Sequence, residues 1–301
     1  MLKIEGHRGF GIERKENTLD AFSEASNAGL ESVELDVWLT SDFVPVVVDA
    51  NTELGQCYMN KKSDNEQISI YITKTPYADL ADLIYETSGE NIPTLKEVIG
   101  TLKNGGTSMN AELKDWRPEV VSKTLDVIYE LEFAEFSFFS SFHHFLRNVL
   151  IAEEQKRGIT NRFGFGYLCM VLRGCGGIPD WDLIRKDLVP DKDLVIIDTN
   201  FVVAFEEELI EIRDNAKNFG VGLGLFSGFV DYHLETEEFF LHCLKLGVKT
   251  FIANVPSKFI EYRKISVSSL DLKEQLGKAT TEDYTNLIED ISDKDYGIYC
   301  V

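Results

Sequence analysis

A histidine and an arginine stand side by side at His7 and Arg8, close to the start of the 301-residue chain. Two carboxylates follow in the alternating run Val33-Glu34-Leu35-Asp36-Val37, and a third, Glu112, precedes Lys114 by two residues. Side chains on a strand repeat with a period of two, so Glu34 and Asp36 project from one face. Together with Glu112 they form a hard oxygen set of the kind that holds Mg²⁺ or Ca²⁺. Without a cation, carboxylates brought so close would repel one another and shift their pKa upward. Spacing alone leaves other readings open. Glu34 and Asp36 could face solvent from a half-exposed strand, Glu112 and Lys114 could form an ion pair at a strand end, and His7 could be structural.

The chemistry requires elements that bring residues 7, 34 and 112 to one place. Leu2 to Gly6 reads as a strand running into the loop Gly6-His7-Arg8-Gly9. Leu19, Phe22 and Ala25 recur at helical spacing and Gly29 supplies a stop, which predicts a helix over 18–28. A second strand follows at 31–38, with a short extension at Pro45 to Val48. Residues 51–90 are polar, centred on Lys61-Lys62-Ser63-Asp64-Asn65-Glu66, and read as an irregular insertion over one face. From Pro93 onward, helices (94–103, 118–131, 143–156, 180–187, 205–218, 235–246) alternate with strands (108–114, 135–142, 163–170, 193–199, 220–226, 248–254). Eight strand segments alternating with helices define an α/β chain, a (β/α)8 TIM barrel over 1–263 with a small insertion after strand 2. Residues 264–301 read as a C-terminal helical tail. An open doubly wound sheet lacks its fingerprint here, because Gly220-Val221-Gly222-Leu223-Gly224 does not open a helix and reads instead as a closely packed strand. In a barrel, functional side chains gather at the C-terminal ends of the strands, where His7, Arg8, Glu34, Asp36, Glu112 and Lys114 all fall.

Composition narrows the partners. With 44% hydrophobic and 27% charged residues the chain has an ordinary globular balance, and its net charge of −21 argues against nucleic acid or an anionic membrane as a partner. A small anionic substrate then needs a local cluster of cations or a metal. The five cysteines, at 57, 169, 175, 243 and 300, show no metal or CxxC spacing and read as free thiols of a reducing compartment. No run approaches the apolar length of a membrane span, and the first residues do not read as a leader, so the expectation is a cytoplasmic protein with no integral membrane segment.

Several stretches together carry a likeness. His7-Arg8-Gly9-Phe10-Gly11, Glu16-Asn17-Thr18-Leu19-Asp20-Ala21-Phe22, Glu34-Leu35-Asp36-Val37-Trp38-Leu39-Thr40-Ser41-Asp42 and Pro45-Val46-Val47 resemble the glycerophosphodiester phosphodiesterase family. Ile92-Pro93-Thr94-Leu95-Lys96-Glu97-Val98, followed by the strand of Glu112 and Lys114, is similar to it as well, with weaker echoes to about residue 258. The resemblance implies a barrel enzyme that uses a divalent metal to hydrolyse small glycerophosphodiesters to glycerol 3-phosphate and an alcohol. By that likeness Glu34, Asp36 and Glu112 hold the metal, Arg8 and Lys114 face the phosphate, and His7 is half of a general acid and base pair. An imidazole, with an unperturbed pKa near 6.5, suits that role.

The chain departs from this pattern where a second histidine would follow Pro45-Val46-Val47-Val48, because Asp49 and Ala50 stand there. A carboxylate with a reference pKa of about 3.9 is a poor proton donor at neutral pH, though it can act as a base or join the metal shell. Asp49 is therefore the candidate second catalytic residue with altered proton-donor chemistry. His143, His144, His233 and His242 offer no evident replacement; the first two read as a helix start. Phe226 stands where a strand-end tryptophan is expected and would cover the apolar face of glycerol, and Asn254 stands where a Thr-Asp pair commonly closes strand eight. A barrel that binds a phosphodiester or metal without turnover is the alternative, and a lipid-like phosphodiester substrate is a further one.

Overall fold

A computed structural model describes residues 2–51, 54–63, 65–80, 83–169, 179, 181–199, 206–228 and 234–268. Twelve strands are numbered in chain order: β1 Lys3–Gly6, β2 Ser32–Leu39, β3 Pro45–Val47, β4 Gln56–Lys61, β5 Gln67–Tyr71, β6 Leu83–Tyr85, β7 Ser108–Leu113, β8 Ser137–Ser141, β9 Phe165–Cys169, β10 Leu194–Asp198, β11 Gly222–Phe226 and β12 Thr250–Ala253. Strands β2, β7, β8, β9, β10, β11, β12 and β1 pair in parallel in that order, and β1 also pairs with β2, closing the ring. This is the (β/α)8 barrel expected from the alternation. β3 adds antiparallel to the outer part of β2.

The period of two sorts every strand between two cores. Val33, Leu35 and Val37 of β2, with Met109, Ala111 and Leu113 of β7, point outward into the main core against helix residues such as Phe22, Leu95, Val98 and Leu125. The intervening residues face the lumen, where Leu168, Ile196, Phe226 and Ile252 form a small apolar plug. Opposite that plug the inward positions are polar, with Glu34 beside Asn110 and Asp36 beside Glu112 in the β2–β7 register. All eight residues of β2 are buried, so Glu34 and Asp36 do not face solvent from a half-exposed strand. The glycine-rich stretch before residue 226 is strand β11, and a Cβ at Gly224 would lie 2.9 Å from Thr250 Cγ2 on the neighbouring strand.

The helices are set by local signals as well as by their apolar faces. Thr18 caps the helix Leu19–Asn27 by accepting from Ala21 N, and Thr94 with Glu97 forms a capping box on the helix Leu95–Gly105. A buried ion pair ties two later units together. Arg147, on the helix Leu146–Lys156, donates to Asp193 at 2.9 and 3.2 Å, and both side chains are wholly buried.

Residues 51–90 differ from the irregular segment that their polarity suggests. β5, β4 and β6 form an antiparallel sheet whose core of Cys57, Met59, Ile72, Leu80 and Leu83 packs on Trp38, Val46 and Val48. The strands are short and each hides only one side, while the turn between β4 and β5 holds the charged run, so composition masks the alternation. The last described helix, Pro256–Ser268, runs across the boundary drawn at residue 263, stacks Phe259 on Phe251, and pairs Arg263 with Glu31 at 3.1 Å. The rest of the tail, 269–301, lies outside the described residues. Cys57, Cys169 and Cys243 are free and buried, and Cys175 and Cys300 fall outside the described residues. Among the described residues no helix is long and apolar enough to cross a membrane.

Candidate active site

The β1 ladder continues through His7 N, which donates to Ala253 O, and the chain then turns sharply. Arg8 sits at φ 50° and Gly9 at φ 103°, and only glycine adopts the second without strain. Arg8 itself occupies the sparsely populated left-handed region, a conformation held by its surroundings. The turn aims the Arg8 backbone N–H at Glu34 Oε2, 3.0 Å away, so main chain and side chain of one residue both serve the carboxylate cluster.

Glu34, Asp36 and Glu112 each offer an oxygen, and these oxygens lie within 4.8 Å of one another. The three residues are 2%, 0% and 7% exposed. Two cations bracket them. Arg8 Nε lies 3.0 Å from Asp36 Oδ2, while Lys114 Nζ bridges Asp36 Oδ1 at 3.2 Å and Glu112 Oε1 at 3.1 Å. Asn17, at φ 56°, adds a hydrogen bond from Nδ2 to Asp36 Oδ2 at 2.8 Å. Glu112 and Lys114 therefore do form the ion pair that spacing allowed, inside the cluster.

The charge balance decides the protonation of each group. Burial would raise the Asp36 carboxyl, but Lys114 and Arg8 outweigh it and hold Asp36 below the usual carboxylate range. Glu34 is driven well above its ordinary value by burial, then by Asp36 and Glu112. Glu112 is also raised, by burial, against the pull of Lys114. Glu34 Oε1 is buried and accepts no hydrogen bond. A cluster short of positive charge, with three hard oxygens facing inward and one unsatisfied, fits a divalent cation.

His7 is oriented by a residue from the far end of the barrel. Its Nδ1 lies 2.6 Å from Asn254 Oδ1. Asn254 Nδ2 is committed to the carbonyls of Ser227 (3.3 Å) and Gly228 (2.8 Å), so its oxygen is the atom that meets the imidazole. The Asn254 backbone is anchored in turn by Glu235, whose carboxylate accepts from Asn254 N at 2.6 Å and Val255 N at 2.7 Å. His7 therefore carries its proton on Nδ1 and presents Nε2, 3.9 Å from Glu34 Oε2, as an unprotonated nitrogen. Burial, followed by the charge of Arg8, lowers its pKa to about 3.

Asp49 pairs with Arg8, its Oδ2 lying 2.8 Å from Nη1, the nitrogen that also meets Glu16 at 3.0 Å. A cavity of about 130 Å³ opens over the cluster, with His7, Arg8, Glu34, Glu112 and Lys114 on one wall. Phe142, Leu168, Phe226 and Ile252 make the other, with Phe142 and Phe226 edge to face at 6.0 Å. Phe226 thus lines the apolar wall of this cavity. His144 turns away, its Nε2 2.8 Å from Leu168 O, and neither it nor His143 lines the cavity. His242 is buried within the helix Glu237–Leu246, and His233 lies outside the described residues.

Asn17, Asn254, Glu16 and Glu235 are positioned at or behind the site without having been singled out for it. Asn17 and Glu16 lay within the recognised motif, so a signal existed. Asn254 stands out in the sequence only as a departure at the end of strand eight, and its contact with His7, like the place of Glu235, depends on closure of the ring.

A closed barrel with a carboxylate cluster, two cations and an oriented histidine at its strand ends defines a class of hydrolytic barrel enzymes. A sequence model of the glycerophosphoryl diester phosphodiesterase family matches residues 7–141. A glycerophosphodiester phosphodiesterase of Caldanaerobacter subterraneus subsp. tengcongensis is 32% identical over 171 residues, 54% of this chain and 67% of that protein. One from Bacillus altitudinis is 33% identical over 149 residues, 48% and 59% of the two chains. The structure of an Oleispira antarctica phosphodiesterase in complex with the product sn-glycerol-3-phosphate shares the fold at a TM-score of 0.63 and 22% identity, covering 87% of this chain and 96% of that one. The chain belongs to the glycerophosphoryl diester phosphodiesterase family. The matched spans amount to about two thirds of the Caldanaerobacter protein and less of the Bacillus one.

Proposed function

We propose that this protein hydrolyses glycerophosphodiesters to glycerol 3-phosphate and an alcohol with the help of a divalent cation, Mg²⁺ or Ca²⁺. The observation that carries the reading is the convergence of Glu34, Asp36 and Glu112 with Arg8 and Lys114 beside an unprotonated His7 Nε2. Glycerol 3-phosphate is also the product named in the Oleispira structure, which supports the substrate class.

Glu34, Asp36 and Glu112 would hold the cation. Once bound, it supplies Lewis-acid stabilisation of the charge that grows on phosphoryl oxygens. Arg8 and Lys114, which stand in the same cluster and line the cavity, would neutralise the same charge. His7 Nε2 takes a proton from the water whose oxygen bonds to phosphorus as the bond to the leaving alcohol oxygen breaks, and Asn254 steadies the imidazolium that forms. Phe226 and Phe142 cover the carbon face of the glycerol. Transfer of a proton to the leaving alkoxide is the weak step, because Asp49 is committed to Arg8 as an anion.

That commitment also favours a second reading, in which the barrel binds its diester and turns it over poorly or not at all. Asp49 and Glu16 together neutralise the guanidinium that should meet the phosphate. Incubation with glycerophosphocholine in Mg²⁺ or Ca²⁺, with an EDTA control, separates the two. Metal-dependent release of glycerol 3-phosphate establishes the enzyme; binding without release establishes the alternative.

A further inference from the structure

Behind the site the chain turns from β12 into the helix Pro256–Ser268 through Asn254 and Val255. Asn254 is wholly buried, and each of its polar groups has a partner. Its Oδ1 meets His7 Nδ1, its Nδ2 donates to the carbonyls of Ser227 and Gly228, its backbone O accepts from Ile12 N at 2.9 Å, and its backbone N donates to Glu235 Oε1 at 2.6 Å. The other oxygen of the same carboxylate, Glu235 Oε2, takes the next amide, Val255 N, at 2.7 Å. One anion therefore grips two successive N–H groups, and hydrogen bonds of this charge-assisted kind are the strong ones. Glu235 is 1% exposed and belongs neither to the walls of the cavity nor to the carboxylate cluster.

Two carboxylates hold this turn, and they hold different parts of it. Glu13, from the loop after β1, accepts from Ser257 N at 3.1 Å and from Ser257 Oγ at 2.6 Å, at the start of the helix, and makes no hydrogen bond to Asn254. Glu235 instead fixes the residue whose side chain meets the imidazole. The His7 loop lies against the same turn, with His7 N donating to Ala253 O, Gly11 N to His7 O and Ile12 N to Asn254 O. A Cβ at Gly11 would lie 2.0 Å from Asn254 O, so loop and turn pack backbone to backbone. In so close a fit, a shift of Asn254 N carries Oδ1 away from His7, and a hydrogen bond weakens steeply as its partners separate or tilt. Glu235 is itself held in place by its neighbour Thr236, which caps the helix Glu237–Leu246 by accepting from Phe239 N at 3.2 Å.

We propose that Glu235 is a positioning residue for the reaction: by holding the amides of Asn254 and Val255 it sets Asn254 Oδ1 against His7 Nδ1, and so keeps the imidazole oriented with Nε2 free to take a proton. The proposal rests on the phosphodiesterase reading for the use of His7, but not for the chain of bonds from Glu235 through Asn254 to His7. Because Glu235 acts through Asn254, it matters only while Asn254 has a side chain to place.

The test is a double-mutant cycle on the full chain, followed by steady-state release of glycerol 3-phosphate from glycerophosphocholine in Mg²⁺ or Ca²⁺. Glu235→Gln keeps the size of the side chain but turns an amide NH₂ toward one of the two backbone N–H groups, and should lower kcat about tenfold with KM within about threefold. Glu13→Gln, the same change at the helix start, should leave kcat within about twofold. In the Asn254→Ala background, Glu235→Gln should cost less than about a further twofold, because the group it places is gone. A second full loss in that background, an equal loss from Glu13→Gln, or a Glu235→Gln protein with wild-type kcat overturns the proposal while leaving the phosphodiesterase intact. If Glu235→Gln does not fold, Glu235→Asp, which keeps the charge one methylene further back, goes through the same cycle under the same criteria. If the wild type releases no glycerol 3-phosphate, the hydrolytic reading fails and the NMR signal of the His7 imidazole N–H, assigned by its loss in His7→Gln, decides the chain of bonds. A hydrogen-bonded signal that Glu235→Gln and Asn254→Ala both shift supports it, and a signal that Glu235→Gln leaves unmoved, or none in the wild type, overturns it.

Discussion

Replacing Asp49 separates two effects that the wild-type geometry superimposes. Asp49 Oδ2 lies 2.8 Å from Arg8 Nη1, and the two side chains are 29% and 7% exposed. Asp49→Asn removes the anion and adds no proton donor. The released guanidinium is worth about 1 kcal/mol, because a partly exposed pair is screened by solvent and Glu16 still holds the same nitrogen. Activity should therefore rise about fivefold. Asp49→His removes the anion and also supplies a group that can protonate a leaving alkoxide near neutral pH. General acid catalysis contributes typically 10²- to 10⁴-fold, so the histidine variant should exceed the asparagine one by about 10²-fold or more. Steady-state release of glycerol 3-phosphate across pH 5 to 9 measures both, and the histidine variant should gain an alkaline limb near the ordinary imidazole pKa of about 6.5. If both variants fall below the wild type, the Asp49–Arg8 pair belongs to the working site and the reasoning is wrong. If the two rise equally, only the release of Arg8 matters.

Three further outcomes follow from the same geometry. Because burial and Arg8 hold His7 at about 3, it stays neutral through the physiological range, and the His7 imidazole resonance should not titrate between pH 8 and 5 in an NMR pH series; a titration there contradicts the buried, neutral imidazole. Asn254→Ala should lower kcat about tenfold to a hundredfold, whereas Asn254→Asp places a carboxylate on Nδ1, favours the imidazolium, and moves the acid limb to higher pH; unchanged profiles in both would show that Asn254 does not orient His7. Arg147→Ala leaves Asp193 buried without its cation and should cost about 3 to 5 kcal/mol in urea unfolding, with a loss below about 1 kcal/mol refuting the pair's role in joining the two units.

The barrel was legible because its strands and helices each repeat their own period, and the strand alternation of Val33, Leu35 and Val37 against Glu34 and Asp36 placed the carboxylates on the inner face. The loop His7-Arg8-Gly9 could be read as functional from residue type, but its left-handed turn and the reach of Arg8 N to Glu34 could not. Residues brought together only by ring closure stayed invisible. Asn254 lies 247 positions from His7, and its identity there looked like drift from a familiar ending. Asp49 is visible in the sequence as the residue in place of a histidine, yet its pairing with Arg8 depends on the side-chain packing around Glu16. The sheet of the insertion is hidden in the sequence because it buries only one face and its turns carry the charge.

On the proposed function, diester hydrolysis depends on a divalent cation held by Glu34, Asp36 and Glu112. The most direct measurement titrates free Mg²⁺ or Ca²⁺ into EDTA-treated protein while following release of glycerol 3-phosphate from a glycerophosphodiester, in the wild type and in Glu112→Gln. Saturable activation by the metal, with a weaker apparent metal affinity in the variant, is the result expected from three oxygens within 4.8 Å. Hydrolysis that EDTA leaves untouched, or a metal response identical in wild type and variant, would contradict it.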